Sequence, residues 1–75
     1  MTEIRKRSVI VAGHKTSVSL EAPFWEEIAA IARSRGQSIG ALVSEIDGRR
    51  EGNLSSALRL FVLDELRRRV GSGES

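Results

Sequence analysis

The chain contains no cysteine and only one histidine. Disulfides are therefore excluded, and so is a structural zinc site built from cysteine and histidine ligands. No segment approaches the roughly 20 consecutive apolar residues that span a bilayer, and residues 1–7 are not followed by the apolar segment of a signal peptide. We therefore expect a cytoplasmic protein that has no membrane partner and uses neither a metal nor another cofactor.

The chain is also short, with 75 residues. A monomer of this size buries only about 60% of the surface that its unfolded chain exposes. Apolar residues make up 40% of the sequence and charged residues 29%, which is ordinary for a folded domain. Oligomerisation is then the usual remaining source of stability. We expect a single domain over residues 8–70, a flexible basic arm over residues 1–7 and a disordered tail over residues 71–75.

One segment, residues 8–20, has the composition of a β-strand, because β-branched and small residues predominate in it. Its second half alternates between two faces. The apolar side consists of Thr16, Val18 and Leu20, and the polar side of Lys15, Ser17 and Ser19. Residues 9–11 either form a separate strand that folds back as a hairpin at residues 12–14, or extend the same strand with a bend at Gly13.

Three helices are expected to follow the strand segment. The signals are Pro23 in a first turn, a stop at Gly36, and side chains at Ser38 and Asn53 that can cap helix N-termini. The expected helices run from Pro23 to about Arg35, from Ser38 to Ile46 or Asp47 with a stop at Gly48, and from Leu54 to about Val70. The architecture is therefore mainly α with a short N-terminal β-segment.

The third helix is apolar on nearly every side of its central turns, because Leu60 and Leu63 lie off its main apolar stripe. A chain of this size can hardly bury such a helix alone, so we expect a homodimer. A two-fold axis would also pair the strand segments of two chains antiparallel, which satisfies their edges. The expected dimer core consists of Val18, Leu20, Phe24, Ile28, Leu42, Ile46, Leu58, Phe61 and Val62.

Cations are concentrated near the N-terminus, where the nearby acid is Glu3. Such an end suits a polyanion, although a solvated basic tail is an equally good interpretation of the charges alone. The cations expected to contact DNA phosphates are Arg5, Lys6, Arg7 and His14. A two-stranded ribbon fits the major groove, where its polar face can reach base edges. We expect base contacts from Lys15, Ser17 and Ser19, and a plain solvent-facing strand is the alternative.

Several segments resemble the ribbon-helix-helix DNA-binding proteins, the Arc and Met repressor class, and more narrowly a group of short bacterial ribbon-helix-helix proteins. The resemblance covers about residues 5–70 and is carried by residues 5–8, 12–28, 35–38 and 53–59. It implies a ribbon-helix-helix fold with an additional C-terminal helix, assembled as an intertwined homodimer.

In that family three alternate ribbon residues enter the major groove, and the N-terminus of the second helix binds a phosphate. The resemblance therefore assigns base contacts to Lys15, Ser17 and Ser19. It assigns the phosphate contact to the turn formed by Gln37, Ser38 and Ile39, where helix amides favour an anion. The chain departs from the family in the break at residues 48–52 and in its small ribbon serines.

The leading hypothesis is a DNA-binding transcriptional regulator, such as a repressor that occupies an operator. The alternative is a protein-interaction module or antitoxin-like adaptor dimer with weak or no sequence-specific DNA binding. The small ribbon serines, which read base sequence only weakly, and the extra helix motivate that alternative. No phosphate-binding loop, dinucleotide fingerprint or serine-hydrolase elbow is present, and His14 has no matched catalytic partner at interpretable spacing. An enzyme is therefore not expected.

Overall fold

A computed structural model describes residues 3–49 and 52–74, which form two β-strands followed by three α-helices. The strands are β1 (Ile4–Val11) and β2 (His14–Glu21). The helices are α1 (Ala22–Ser34), α2 (Ile39–Arg49) and α3 (Leu54–Glu74). This order agrees with the expected mainly α architecture, which has an N-terminal β-ribbon and an additional C-terminal helix.

The two strands form an antiparallel hairpin, in which Val11 lies opposite His14 and Ile4 lies opposite Glu21. Ala12 and Gly13 make the two-residue turn, with φ angles of 52° and 81°. Positive φ at both positions is the signature of a type I′ turn, whose twist matches that of the flanking strands. The structure therefore selects the hairpin from the two alternatives that the sequence left open for residues 9–11.

The hairpin changes the argument for strand pairing between two chains. We expected the segment 16–20 to be a lone strand whose edges need a second chain. That expectation is wrong for one edge, because β1 pairs with β2 there. On the other edge, the Ser19 amide donates a hydrogen bond to Ser55 Oγ at the start of α3 (3.1 Å). An intertwined dimer with a shared ladder stays a prediction, and it would have to displace that bond.

The core lies between the inner face of the hairpin and the three helices. Its hairpin side is formed by Val9, Val11, Val18 and Leu20, all buried. The residues that we assigned to a dimer core are buried or half-buried within one chain, because the hairpin and helices close on one another. Val18, Leu20, Ile28, Leu42, Ile46, Leu58 and Val62 are buried, and Phe24 and Phe61 are half-buried.

The helix ends follow local side-chain and glycine chemistry. Gly36 adopts a φ of 69° after α1, and the Gln37 amide then donates to the Ala32 carbonyl (2.9 Å), which closes the helix as a glycine C-terminal motif does. Ser38 Oγ accepts from the Ala41 amide (3.0 Å). Asn53 Oδ1 does the same for Ser56 (2.8 Å). Both predicted N-caps and the Gly36 stop are confirmed.

The outer boundaries differ from those expected. β1 begins at Ile4, so four residues of the expected arm belong to the hairpin, and α3 continues to Glu74 into the expected tail. Gly48 lies inside α2 rather than after it. Residues 1–2 of the arm, 50–51 of the predicted loop and Ser75 lie outside the described residues. No helix in the described part of the chain combines the length and apolar character that crossing a membrane requires.

Candidate nucleic-acid interface

The hairpin has two chemically different faces, because side chains alternate along each strand. We call the face turned away from the core the outer face. It is formed by Ile4, Lys6, Ser8 and Ile10 of β1 and by Lys15, Ser17, Ser19 and Glu21 of β2. All of these residues except Glu21 are exposed. The three residues expected to contact bases therefore lie together and point outward.

The register sets the order of groups across the outer face. Lys6 lies opposite Ser19, and Ser8 lies opposite Ser17. Nearest the turn, Ile10 lies opposite Lys15. A lysine therefore stands toward each end of the face, on different strands, with hydroxyl groups between them. Such a surface offers hydrogen-bond donors and acceptors between two positive charges.

The predicted phosphate contacts of β1 divide between the two faces. Lys6 lies on the outer face, whereas Arg5 and Arg7 alternate with it and lie in phase with the buried Val9. Arg5 is exposed. Arg7 is half-buried, and its guanidinium carbon stands over the Trp25 ring, 5.0 Å from the centroid. The structure thus places Arg7 in a cation–π contact on the inner side of the hairpin and not on the outer face.

The turn before α2 lies beside the hairpin edge. A Cβ placed on Gly40 would stand 3.2 Å from the Ile10 carbonyl oxygen, so the first turn of α2 closely approaches β1. Ser38 is exposed here, and Gln37 and Ile39 are half-buried. Gln37 Nε2 donates to the Glu45 carboxylate. The predicted phosphate-binding turn and the Ile10–Lys15 end of the outer face are therefore neighbours.

Hydrogen bonds fix both ends of the hairpin on the helices. At the turn, the Ala12 amide donates to Ser44 Oγ of α2 (3.4 Å). At the other end, Arg59 Nε of α3 donates to Glu21 Oε1 (2.9 Å). This hydrogen bond from Arg59 lowers the pKa of the Glu21 carboxyl from its ordinary value. Glu21 is thereby held as a paired carboxylate at the margin of the outer face.

A family model described as a ribbon-helix-helix domain matches residues 4–66. The chain belongs to this family. Ribbon-helix-helix proteins are generally non-enzymatic DNA-binding proteins, and they usually bind DNA as dimers. The match starts at the first residue of β1, so both strands of the hairpin fall within the family unit. Neither the curated proteins nor the solved structures gave a match.

On the β1 side of the outer face, sequence reasoning singled out Lys6 but missed the other residues. Ser8 and Ile10 were not singled out, because the strand that carries them was left as one of two alternatives. The signal that could have found them is the glycine at position 13 between two β-branched segments, which favours a two-residue hairpin. That turn fixes the register, and the register assigns Ser8 and Ile10 to the face of Lys15.

Away from the hairpin, this ribbon-helix-helix chain has an open cavity of about 550 Å³ between α2 and α3. Three of its charged lining residues form ion pairs: Arg35 binds the buried Glu65 (2.9 Å) and stands over the Phe61 ring, and Arg68 also binds Glu65. Within residues 3–49 and 52–74, no cluster of three or more His, Cys, Asp or Glu side chains could hold a metal ion.

Proposed function

We propose that this ribbon-helix-helix protein binds double-stranded DNA by laying the outer face of its hairpin in the major groove, and that it regulates transcription by occupying an operator. The observation that carries the proposal is the outer face itself, which is exposed, hydroxyl-rich and flanked by Lys6 and Lys15. Its one carboxylate, Glu21, is bound by Arg59. A major groove about 12 Å wide admits a two-stranded ribbon.

The three residues proposed to contact bases have different chemical roles in such a complex. Lys15 can donate to guanine O6 and N7, which gives a base preference. The hydroxyls of Ser17 and Ser19 donate or accept with several bases, so they discriminate less. Base preference should therefore depend more on Lys15 than on the serines.

Phosphate contacts surround this centre. Lys6 toward the open end of the hairpin and the exposed His14 at the turn supply side chains, and the exposed Arg5 lies next to Lys6 on β1. The turn at residues 37–39 and the first turn of α2 supply backbone amides and the positive end of the helix dipole. The Gln37 amide is the exception, because it donates to the Ala32 carbonyl. Arg7 is omitted from the proposed set because it packs on Trp25.

The test is a titration of labelled duplexes made from genomic fragments at several salt concentrations. Lys15→Ala should weaken binding and change the preferred sequence. Lys6→Ala should weaken all sequences similarly and lower the slope of log affinity against log salt by about 1. Arg33→Ala is the matched control, since Arg33 is an exposed cation on α1 and should leave both properties unchanged. Binding that is tight but insensitive to salt would contradict the proposal.

We further propose a homodimer that covers an exposed apolar stripe on α3. We define this α3 stripe as Leu60, Leu63, Leu66 and Val70, which are 65%, 42%, 39% and 61% exposed within one chain. The last three have i, i+3, i+7 spacing and therefore share one side of the helix. A second copy supplies a matching stripe by symmetry, and the family usually binds DNA as a dimer.

The α3 stripe also favours a second candidate function, in which a different protein covers it and DNA binding is secondary. Such a protein-interaction module would be recovered from cells with one stoichiometric partner in nuclease-treated extract. The DNA-binding proposal expects recovery with DNA and with a second copy of the chain. Loss of the partner in Leu63→Lys, with Lys15→Ala unaffected, would assign the stripe to that partner.

A further inference from the structure

The edge of β2 that faces away from β1 is held by the first two turns of α3. The Ser19 amide donates a hydrogen bond to Ser55 Oγ (3.1 Å). Beyond it along both elements, Arg59 Nε donates to Glu21 Oε1 (2.9 Å). The two helix residues are four apart, a rise of about 6 Å, and the two strand residues are two apart, a rise of about 6.7 Å. These spacings match, so one side of α3 binds both strand residues at once, and we call the two contacts the α3 clamp.

The α3 clamp uses a backbone group that a neighbouring strand would also need. Along a strand, the N–H and C=O groups of successive residues point alternately to its two edges. The Ser19 amide points away from β1, because its hydrogen bond goes to Ser55. The Ser17 amide points to the same edge by this alternation. Since each amide has a single hydrogen, a strand that pairs at this edge must displace Ser55 from Ser19.

The α3 clamp and the exposed apolar residues of α3 lie on the same side of the helix. One line of side chains, at intervals of four, four, three and four residues, consists of Ser55, Arg59, Leu63, Leu66 and Val70. The first two bind β2, and the last three belong to the exposed α3 stripe. A second copy of the chain that covers the stripe therefore lies beside the edge of β2 that the clamp occupies.

We propose that the Ser55 hydroxyl competes with the β2 strand of a second chain for the Ser19 amide, so that α3 closes this edge in a single chain and releases it when two copies pair there. The inference rests on the homodimer of the proposed function. Release costs little, because the bond is exposed and the ladder replaces it with backbone hydrogen bonds. Pairing brings the polar side chains of both β2 strands together on one surface, so the clamp couples dimerisation to assembly of the DNA-binding face.

The first measurement is sedimentation equilibrium of the full chain over a range of concentrations, which gives the dimer dissociation constant. Ser55→Ala should lower that constant about fivefold, because neither chain then gives up a hydrogen bond on pairing. Ser55→Thr keeps a hydroxyl and should keep the wild-type constant. Ser56→Ala is the matched control, since it makes the same change at the next, exposed position and leaves the amide that Asn53 caps.

The second measurement is amide hydrogen exchange, which shows whether the dimer uses this edge. The Ser17 amide should exchange slowly at concentrations that favour the dimer and fast in the monomer. Equal dissociation constants of wild type and Ser55→Ala, or a Ser17 amide that exchanges equally fast in both states, would overturn the inference. A thermal melt of each variant checks that the fold is intact.

The outcome for DNA binding is separate. If the dimer responds to Ser55→Ala as expected but binds no duplex, the competition is supported and the proposed DNA binding fails. If duplexes bind and the dimer does not respond, the competition fails alone. A chain that stays monomeric in both wild type and Ser55→Ala would overturn the competition together with the proposed homodimer.

Discussion

At the residue scale, the hairpin turn stores strain at Ala12, whose φ is 52°. The left-handed region is unfavourable by about 1–2 kcal/mol for an ordinary side chain, whereas asparagine tolerates it and is preferred at this position of a type I′ turn. We expect Ala12→Asn to raise the free energy of unfolding by about 1 kcal/mol. Urea denaturation of both proteins measures the difference, and the Ala12 amide remains free to bind Ser44.

The neighbouring glycine supplies the control for this prediction. Gly13 has a φ of 81°, and a Cβ added there meets nothing within 4 Å. Gly13→Ala should therefore lower the free energy of unfolding by about 1–2 kcal/mol through backbone conformation alone. Equal stability of Ala12→Asn and the wild type would show that the turn is not strained at residue 12.

Residues whose roles are set by their near neighbours were predictable. Ser38 and Asn53 cap helices as their side-chain chemistry indicates, and Gly36 ends α1. The direction of the Arg7 side chain was not predictable, because it depends on the phase of a strand that the sequence did not define. A cation near the N-terminus indicates charge, but only the register with β2 shows that Arg7 faces Trp25.

At the scale of elements, the approach of α2 to β1 depends on a glycine. A Cβ on Gly40 would stand 3.2 Å from the Ile10 carbonyl oxygen, which the ladder and the Ala12–Ser44 hydrogen bond hold in place. The free-energy cost of crowding there should exceed the gain of about 1 kcal/mol that alanine brings in helix propensity. We expect Gly40→Ala to lower the free energy of unfolding by on the order of 1 kcal/mol.

Gly48 lies in the same helix and provides the comparison for Gly40. A Cβ at Gly48 meets nothing within 4 Å. Gly48→Ala should therefore raise the free energy of unfolding by up to about 1 kcal/mol, because alanine has the higher helix propensity and causes no crowding there. Chemical denaturation of both variants measures whether each substitution raises or lowers the free energy of unfolding. Stabilisation by both substitutions would mean that β1 and α2 move apart easily.

The hydrogen bond between Glu21 of β2 and Arg59 of α3 makes the free energy of unfolding depend on pH in a known direction. The pKa of Glu21 is lowered by Arg59, so the carboxylate contributes stability above the pKa that it has in the unfolded chain. That contribution is lost as the pH falls through the lower pKa of the folded state. We expect Glu21→Gln to be less stable than wild type at neutral pH, with the difference vanishing in acid. NMR titration of the Glu21 carboxyl should show its pKa returning toward the ordinary value in Arg59→Ala.

Elements were predictable where a periodic pattern and a capping signal coincide, as in α1 and the start of α3. The contacts between elements were not. Ser19 and Ser55 are 36 residues apart, and Ala12 and Ser44 are 32 apart. Each pair meets only because of how strands and helices pack, and a serine in the sequence carries no sign of such a partner. The outer-face residues of β2 were therefore predictable, because alternation defines that face, whereas Ser8 and Ile10 of β1 were not.

At the scale of the whole molecule, the apolar surplus of the third helix was visible in the sequence, and the structure shows where it lies. One chain buries Leu58 and Val62 but leaves the α3 stripe exposed. Burying a leucine side chain contributes about 1.5–3 kcal/mol, so a symmetric contact along the stripe is a substantial source of stability for an 8.2 kDa chain. A helical contact of this kind leaves the outer faces of both hairpins free for DNA.

The assembly is tested by sedimentation of the wild type and Leu63→Lys over a range of concentrations. We expect a wild-type dimer and a folded Leu63→Lys monomer, because a dimer would have to bury the new charge without a partner. Leu63→Met retains the apolar surface and should remain dimeric, and Ala30→Lys adds the same charge at an exposed position of α1. A dimer that persists in Leu63→Lys but dissociates when the edge of β2 opposite β1 is blocked would instead support the intertwined form. In that form the Ser19–Ser55 hydrogen bond opens and the two chains share a ladder.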